Sequence, residues 1–368
     1  MLNTKQWTML LLASFVALAG CKKEDDDPVI DPGKGGKGGA VEKGGKGGAG
    51  GAGGAAAAAD MAQQDKDRMM WAKLNGLIRD CINRFGSRVL DSRNYYLRRL
   101  DPKVGPSGKY CSSRYLYTPY TISDPSSCAN AVRKAIASPP KIASLEKAAA
   151  GYIAALQILH PILKKASRYY GQGDYKDDKC AQGMDMHTKL LAGWSQFAEH
   201  NAKLRAEISR ITDELSKRDL QRIVRRFGKG LRYYKKKVMI EAKSTLQIIR
   251  LDAKKEMDGQ KPNVDLVTAQ VKRFQQIAEA MEQTSERMAD AARRAFWWSS
   301  FKRETFTFLK SCKEYMRRIR SGKGFRRWDR RRLGTSSGWM VSGSFDAALR
   351  NYNSLVRASN NVKFRFGR

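Results

Sequence analysis

From about residue 65 to the end of the chain, apolar residues recur at steps of three and four positions. The first such series comprises Trp71, Leu74, Ile78, Cys81, Phe85 and Val89. This spacing places apolar side chains along one face of a helix. No segment shows the sustained apolar–polar alternation that is typical of a half-buried strand. The pattern therefore predicts an all-α protein, an antiparallel bundle of long, coiled-coil-like helices.

Proline and glycine residues divide this pattern into separate helices. The expected elements are a helix over 71–100, an irregular segment over 102–127, a short helix over 128–137, long helices carrying apolar stripes over 145–170 and 190–215, a fourth long helix ending near 257, a fifth beginning near 263, and a last helix over 345–356. The pattern of the fifth helix permits a continuation to Ile319. Pro161 lies inside the second long helix and should kink it. Asp178 is expected to cap the third, because the acidic cluster around it lacks the ligand spacing of an EF-hand.

Two of the stripes predict the core most sharply. The first consists of Leu145, Tyr152, Leu156, Leu159, Leu163 and Tyr170, and the second of Leu190, Trp194, Phe197, Asn201, Leu204, Ile208, Ile211 and Leu215. The second stripe drifts backward from the ideal period of 3.6 residues. Such a drift indicates a left-handed supercoil.

The N-terminus has the layout of a bacterial secretory signal. An apolar run over 8–17 ends at Leu18-Ala19-Gly20-Cys21, the pattern of a lipobox. The sequence thus predicts a lipoprotein signal peptide over residues 1–20, cleavage between Gly20 and Cys21, and lipidation of Cys21. The alternative is an ordinary signal peptide with an incidental cysteine. By resemblance to bacterial lipoprotein sorting, Lys22 and Lys23 favour the outer membrane, on either its periplasmic or its external face.

Residues 21–60 are rich in glycine, alanine and lysine, with Lys-Gly-Gly repeated four times. A segment of this composition cannot bury apolar surface. We therefore expect a lipidated, disordered tether over 21–60, and a helical bundle domain over 61–368.

The charge balance is strongly basic: 70 Lys and Arg against 36 Asp and Glu give a formal net charge of +34. Such a charge concerns partners rather than fold. In a bacterial envelope it favours anionic lipid, lipopolysaccharide or another polyanion. Nucleic acid is a possible partner that the sequence does not favour.

One concentration of positive charge, the basic ridge, falls on one side of the predicted fourth helix. Its members are Arg218, Arg222, Arg225, Lys229, Arg232 and Lys236. They would extend over roughly 27 Å at 1.5 Å per residue. Only Asp219 is near enough in sequence to offset them. The ridge is a candidate site for an anionic ligand; the alternative is an ordinary solvated face.

A second concentration, the basic tract, covers residues 317–332. Its candidate ligand-binding residues are Arg317, Arg318, Arg320, Arg326, Arg327, Arg330, Arg331 and Arg332. Phe325 and Trp328 are interleaved with them. Arginine binds phosphate through two parallel hydrogen bonds and stacks on rings. The alternative is a disordered basic connector without a dedicated ligand.

Five cysteines follow Cys21, and outside the cytoplasm they can pair. Sequence leaves the pairing open. We favour a Cys111–Cys128 bond, because it would close the irregular segment over 102–127. We expect no metal and no cofactor, since no Cys-x-x-Cys occurs and His160, His187 and His200 lack metal-ligand spacing.

Motifs of the major catalytic classes are not supported by the sequence: no His-Glu-x-x-His and no Glu-x-x-His pair occurs. The one Gly-x-Ser-x-Gly match, Gly334-Thr335-Ser336-Ser337-Gly338, follows no predicted strand and so lacks the context of a nucleophile elbow. The leading hypothesis is therefore a non-enzymatic lipoprotein that binds anionic envelope polymers or lipids through basic helical faces. A rival is a protein-binding or chaperone-like bundle with an apolar groove formed by Met281, Met288, Phe296, Trp297 and Trp298. An envelope hydrolase is a third possibility, but its acidic residues have no recognisable pattern.

Three blocks together resemble the YiiG-like family of bacterial lipoproteins, domain of unknown function 3829. They are the lipobox, the segment from Tyr169-Tyr170 to Asp178 with the helix after it, and Tyr352-Asn353-Ser354-Leu355-Val356 followed by Asn360. The resemblance covers most of residues 65–362. It implies a helical lipoprotein and no catalytic residues, because that family has no assigned activity. The long glycine-rich tether and the high arginine content depart from the family pattern.

Overall fold

The computed structural model describes residues 51–335 and 337–364, and for residues 51–58 the backbone alone. The signal peptide, Cys21 and most of the expected tether lie outside the described residues. The described part is helical and contains no β-strand, which confirms the all-α prediction. The helices are α1 (Gly51–Leu77), α2 (Ser87–Tyr96), α3 (Ser126–Ala137), α4 (Ala143–Gln172), α5 (Ala181–Phe227), α6 (Leu231–Met257), α7 (Val264–Arg287), α8 (Ala289–Arg294), α9 (Trp298–Arg320), α10 (Arg327–Arg330) and α11 (Phe345–Asn361).

The first hydrophobic core lies between α1, α2, α3, α4 and α5 as far as Leu215, with a π-helical segment over Ile78–Gly86 joining α1 to α2. Every residue of the two predicted stripes is buried, so both are confirmed. Helices α4 and α5 are antiparallel: Ser144 donates to Glu207 near one end, and the Tyr170 hydroxyl lies near Gly183 at the other.

Glycine lets α4 and α5 approach closely. A Cβ on Gly151 would lie 2.3 Å from His200 Nδ1, and one on Gly193 would lie 2.9 Å from a Leu159 methyl group. His200 is therefore a packing residue. His187 is also structural, because its ring nitrogens contact the Tyr96 hydroxyl at 3.1 Å and the Pro102 carbonyl at 3.0 Å.

The disulfide pairing differs from the prediction. Cys81 is bonded to Cys128, and Cys111 to Cys180, while Cys312 is a buried free thiol. The predicted Cys111–Cys128 bond is wrong, although both residues form disulfides. Cys128 lies on α3, where it faces the π-helical segment, and Cys111 lies beside the turn that leads into α5. The irregular segment is thus fastened to the start of α5 rather than closed on itself.

The chain reverses at residues 228–230, which corrects the predicted fourth helix. α5 continues to Phe227, Gly228 adopts a positive φ of 67°, and α6 starts at Leu231. Lys243 pairs with Asp213 at 2.6 Å, so α5 and α6 form an antiparallel hairpin. The reason is local: a left-handed backbone at the end of a helix favours glycine, and the sequence supplies Gly228 there.

A second hydrophobic core lies between α6, α7, α9 and α11. The fifth predicted helix corresponds to α7, which ends at Arg287. The predicted continuation to Ile319 is wrong, because residues 298–320 form the separate helix α9. The chain leaves the helical conformation at Met288, and a second break follows α8, where the backbone of Phe296 exchanges hydrogen bonds of 2.9 and 3.3 Å with Lys363 and Trp297 adopts a φ of 62°. α1 also begins before the expected domain start at residue 61.

The residue at the N-cap position of α5 is Cys180 rather than the predicted Asp178, which lies two residues earlier but still accepts a hydrogen bond from the first turn of the helix. The Asp178 carboxylate accepts hydrogen bonds from the Tyr169 hydroxyl at 2.6 Å and from the Gln182 amide at 3.0 Å. These bonds, the Tyr169 bond foremost, lower the pKa of Asp178 below its ordinary value.

The lowered pKa of Asp178 predicts that the stability of the fold depends on pH. A carboxyl group whose pKa is lower in the folded than in the unfolded state stabilises the fold fully above its unfolded pKa, and this contribution is lost as pH falls through the folded pKa. We expect Asp178→Asn to flatten the loss of stability below about pH 4. Urea unfolding across that range measures it. Asp177→Asn, a change at the exposed neighbour, is the control, and an equal flattening there would contradict the prediction.

Candidate functional site

Three of the six residues of the basic ridge pair with acidic residues of α1. Arg218 and Arg222 each lie 3.0 Å from a carboxylate oxygen of Asp67, whose side chain is only 4% exposed. Arg225 pairs with Asp60 at 3.0 Å. The expectation that Asp219 alone offsets the ridge is therefore wrong.

Asp219 does contribute, because it lies 3.0 Å from both Arg222 and Lys236 and so joins the two arms of the α5–α6 hairpin. Arg232 stacks with its guanidinium carbon 4.7 Å from the Phe227 ring centroid and 5.0 Å from that of Phe364. Lys229 lies in the turn and is exposed. The six predicted residues thus do not form one continuous cationic face.

In the basic tract, Arg318 is a structural residue. Its guanidinium binds both carboxylate oxygens of Glu256, at 2.5 and 2.7 Å, and its Nε donates to the Gly343 carbonyl at 2.9 Å. It also stacks 4.1 Å from the centroid of the Phe325 ring. These contacts join the carboxyl end of α9 to α6 and to the segment before α11.

Three further arginines of the tract contact either the tract itself or the neighbouring helix α7. Arg320 donates to the Thr268 hydroxyl at 3.3 Å, and Arg330 donates to the Phe325 carbonyl at 2.7 Å. Arg332 lies 5.8 Å from the centroid of the Trp328 ring. The tract is thus an ordered turn between α9 and α11 rather than a loose connector.

The remaining cations of the tract face outward. Arg317, Lys323, Arg326, Arg327 and Arg331 are exposed. Within the described ranges, no carboxylate lies within ion-pair distance of any of them. Trp328, between them in sequence, is 63% exposed. We call these five cations and Trp328 the tract surface.

The segment after the tract is tied to α11 by Asp346. Its carboxylate accepts a hydrogen bond of 2.7 Å from the Gly334 amide. Burial raises the pKa of Asp346, and the bond from Gly334 opposes that shift. Ser344 caps α11 by accepting from the Ala347 amide at 3.0 Å. The tract surface is therefore anchored on both sides, by Arg318 before it and by Asp346 after it.

The apolar residues of the rival hypothesis divide into two groups. Met281 and Trp298 are buried, with Trp298 only 3% exposed and its indole donating to Ser285 at 3.0 Å. Trp297, in contrast, is 55% exposed, and Phe296 and Met288 are exposed beside it. The five residues therefore do not line one groove.

Comparison with known proteins identifies the family of the chain. Residues 70–361 match the family described as "Protein of unknown function (DUF3829)". The chain belongs to this family. It is similar to the "Uncharacterized protein YiiG" of Escherichia coli (strain K12), with 31% identity over 287 residues, 77% of this chain and 76% of that protein. No solved structure matches.

The DUF3829 match spans both hydrophobic cores, both disulfides and the tract surface, and it confirms the YiiG-like resemblance. Asp60 and Asp67, which pair with three residues of the ridge, lie before the matched range. Among residues 51–335 and 337–364, no helix combines the length and apolarity needed to cross a membrane. In the same part of this DUF3829 chain, no three His, Cys, Asp or Glu side chains gather in a way that could hold a metal ion.

Proposed function

We propose that this DUF3829 protein is an outer-membrane lipoprotein, anchored through Cys21, that binds anionic envelope polymers without catalysing a reaction. The ligand class is phosphate- or carboxylate-rich polymer such as lipopolysaccharide. The lipobox supports the anchoring. The sequence has no His-Glu-x-x-His motif, no Glu-x-x-His pair and no Gly-x-Ser-x-Gly elbow after a predicted strand, which supports binding without chemistry.

The observation that carries the proposal is the tract surface. Within the described residues none of its five cations pairs with a carboxylate, so a ligand can bind there without breaking an ion pair of that part of the chain. Arginine forks match the geometry of phosphate oxygens, and each basic group close to an anionic surface contributes about 1 kcal/mol. The exposed Trp328 offers an apolar and aromatic contact beside them. An ordered turn also loses less conformational entropy on binding than a loose segment would.

The basic ridge is a poorer ligand site for the same reason. An anion would have to compete with Asp67 for Arg218 and Arg222. Removing both arginines would leave the almost fully buried carboxylate of Asp67 without a cationic partner, with only the Gln63 amide to donate to it at 2.9 Å. Such a change is strongly unfavourable. We therefore assign binding to the tract surface and stabilisation of the fold to the ridge.

A double substitution tests this assignment. Arg327→Gln with Arg331→Gln should lower the affinity for lipopolysaccharide about thirtyfold at low salt, since two contacts of about 1 kcal/mol are lost. The salt dependence of binding should also become shallower. Fluorescence titration at low and high salt measures both, with polyphosphate as a probe that has no acyl chains. All contacts described above lie within residues 51–364, so a chain of residues 22–368 is suitable.

The matched control is Arg218→Gln with Arg222→Gln, which removes the same charge from the ridge. We expect this pair to lower the melting temperature and to leave the affinity of the folded protein unchanged. Equal losses of affinity in the two double variants would mean that net charge alone drives binding, and would refute the assignment.

A further inference from the structure

Four apolar side chains are exposed at the end of the second core where α5 turns into α6: Phe227, Met288, Phe296 and Trp297, here called the hairpin tip. Met288 Sδ lies 3.5 Å from the position that a Cβ on Gly230 would take, so the end of α7 reaches the turn. Phe296 pairs through its backbone with Lys363, next to Phe364, whose ring shares Arg232 with Phe227. Three chain segments therefore meet at this end.

Trp297 is unusual among these residues. Its φ of 62° is a left-handed conformation that costs a side-chain-bearing residue roughly 1–2 kcal/mol. The ring is nevertheless more than half exposed. A strained backbone that displays an aromatic side chain to the outside is more typical of a functional contact than of a packing residue.

Basic residues surround the hairpin tip. The exposed cations at this end are Arg225, Arg226, Lys229, Arg287, Arg293, Arg294 and Lys363, and the exposed acids are Glu286 and Asp290. Asp290 is itself paired with Arg293. Apolar and aromatic side chains with a basic rim are the composition of surfaces that lie in the interface of an anionic membrane.

The N-terminal side of the chain arrives at the same end. α1 is antiparallel to the end of α5, because Asp67 pairs with Arg218 whereas the earlier Asp60 pairs with the later Arg225. The start of α1 therefore lies beside the hairpin tip. The tract surface is at the opposite end of the second core, about 40 Å away along the 27 residues of α6.

We propose that the hairpin tip inserts its apolar side chains into the interfacial region of an anionic lipid bilayer, while its basic rim contacts the headgroups. This inference rests on the proposed function, because lipidation at Cys21 would bring the start of α1 to the bilayer. The tip would then face the membrane, and the tract surface would point away from it toward the polymer. Trp is favoured at the headgroup level because its ring is amphipathic, and Phe is among the residues that interfacial surfaces bury at the boundary with the acyl chains.

Vesicles of phosphatidylcholine and phosphatidylglycerol test the inference with the unlipidated chain of residues 22–368. The variant Phe296→Ser with Trp297→Ser leaves the charge unchanged and should bind these vesicles about tenfold more weakly, since two partly inserted rings are lost. Its matched control at the other end of the second core, Leu251→Ser with Leu266→Ser, removes two exposed apolar side chains outside the tract surface and should bind like the unmodified protein. Far-ultraviolet circular dichroism establishes that both variants are folded.

A second measurement does not depend on the serine variants. Lipids brominated in their acyl chains should quench the tryptophan fluorescence of the unmodified protein. Trp297→Phe should remove most of this quenching, whereas Trp328→Phe should not. Quenching that disappears in Trp328→Phe, or that is unchanged in Trp297→Phe, would overturn the inference.

The two proposals can fail separately. If the tip variant binds vesicles normally but the Arg327 and Arg331 variant loses lipopolysaccharide binding, the membrane inference is wrong and the proposed function stands. If the tip variant loses vesicle binding but the Arg327 and Arg331 variant binds lipopolysaccharide normally, the membrane inference stands and the assignment of polymer binding to the tract surface is wrong. Unaltered vesicle binding together with an unquenched Trp297 would leave a protein partner as the occupant of the tip, and would also refute the inference.

Discussion

Replacing Cys111 and Cys180 together by alanine is expected to lower the free energy of unfolding by about 4 kcal/mol. The disulfide spans 69 residues of sequence, and a cross-link over so long a loop removes much conformational entropy from the unfolded chain. It also fastens the irregular segment before α3 to the start of α5. Urea unfolding of the double variant, compared with the unmodified protein, measures the effect.

Cys312 provides the control for this change. It is buried and unbonded, so Cys312→Ala alters a core cysteine without opening a loop and should cost about 1 kcal/mol. Equal losses in the two variants would contradict the role assigned to the disulfide. Peptide mapping without reduction should recover Cys81 joined to Cys128 and Cys111 joined to Cys180. A peptide pair joining Cys111 to Cys128 would contradict the fold itself.

The helices and their buried faces were accessible to sequence analysis because they depend on local order. The stripe from Leu190 to Leu215 is a property of one helix, and each of its residues is buried in the structure. The hydrogen bond that Asp178 accepts from the first turn of α5 is local in the same sense. Glycine signals were also present at Gly228 and Gly230, but the basic and apolar periodicity across them suggested an uninterrupted helix.

Contacts between distant segments were not accessible. Asp67 and Arg218 are 151 residues apart, and no pattern on α5 reveals that α1 will bring a buried carboxylate to it. The spacing of Asp60 and Asp67, two helical turns on one face, was a usable signal that α1 carries its own acidic stripe. The disulfide partners depended on tertiary proximity in the same way. Trp297 and Trp298 are adjacent in sequence, and the sequence alone did not indicate that the first is exposed and the second is buried.

The distribution of charge therefore has to be judged after folding. Arginines that look equivalent in sequence perform different tasks: Arg318 and Arg222 hold helices together, whereas Arg327 and Arg331 are exposed and have no carboxylate partner in the part of the chain that the structure describes. Only the second kind can bind an anionic ligand without a loss of internal contacts. This difference reduces fourteen candidate cations to a small set at one end of the second core.

Asp252→Ala is expected to lower the free energy of unfolding by about 3 kcal/mol. The carboxylate of Asp252 is buried, accepts from the Tyr315 hydroxyl at 2.9 Å and from the Asn263 amide at 2.6 Å, and so joins α6 to α9 and to the start of α7. Burial, and then the nearby Asp252 charge, raise the pKa of Tyr315 well above its ordinary value, so Tyr315 stays a neutral donor. Without the acceptor, a fully buried hydroxyl is left unpaired.

A double-mutant cycle isolates this contact. Tyr315→Phe removes only the hydroxyl and should cost about 1.5 kcal/mol, and the double variant should be less destabilised than the sum of the two single changes. Asp265→Ala, at an exposed acid in the first turn of α7, should cost below about 1 kcal/mol, because it loses only a favourable interaction with the helix dipole. Strict additivity in the cycle, measured by urea unfolding, would show that Asp252 and Tyr315 do not act as a pair.

Since α9 leads directly into the basic tract, loss of the contact between Asp252 and Tyr315 should also make the tract surface more susceptible to proteolysis.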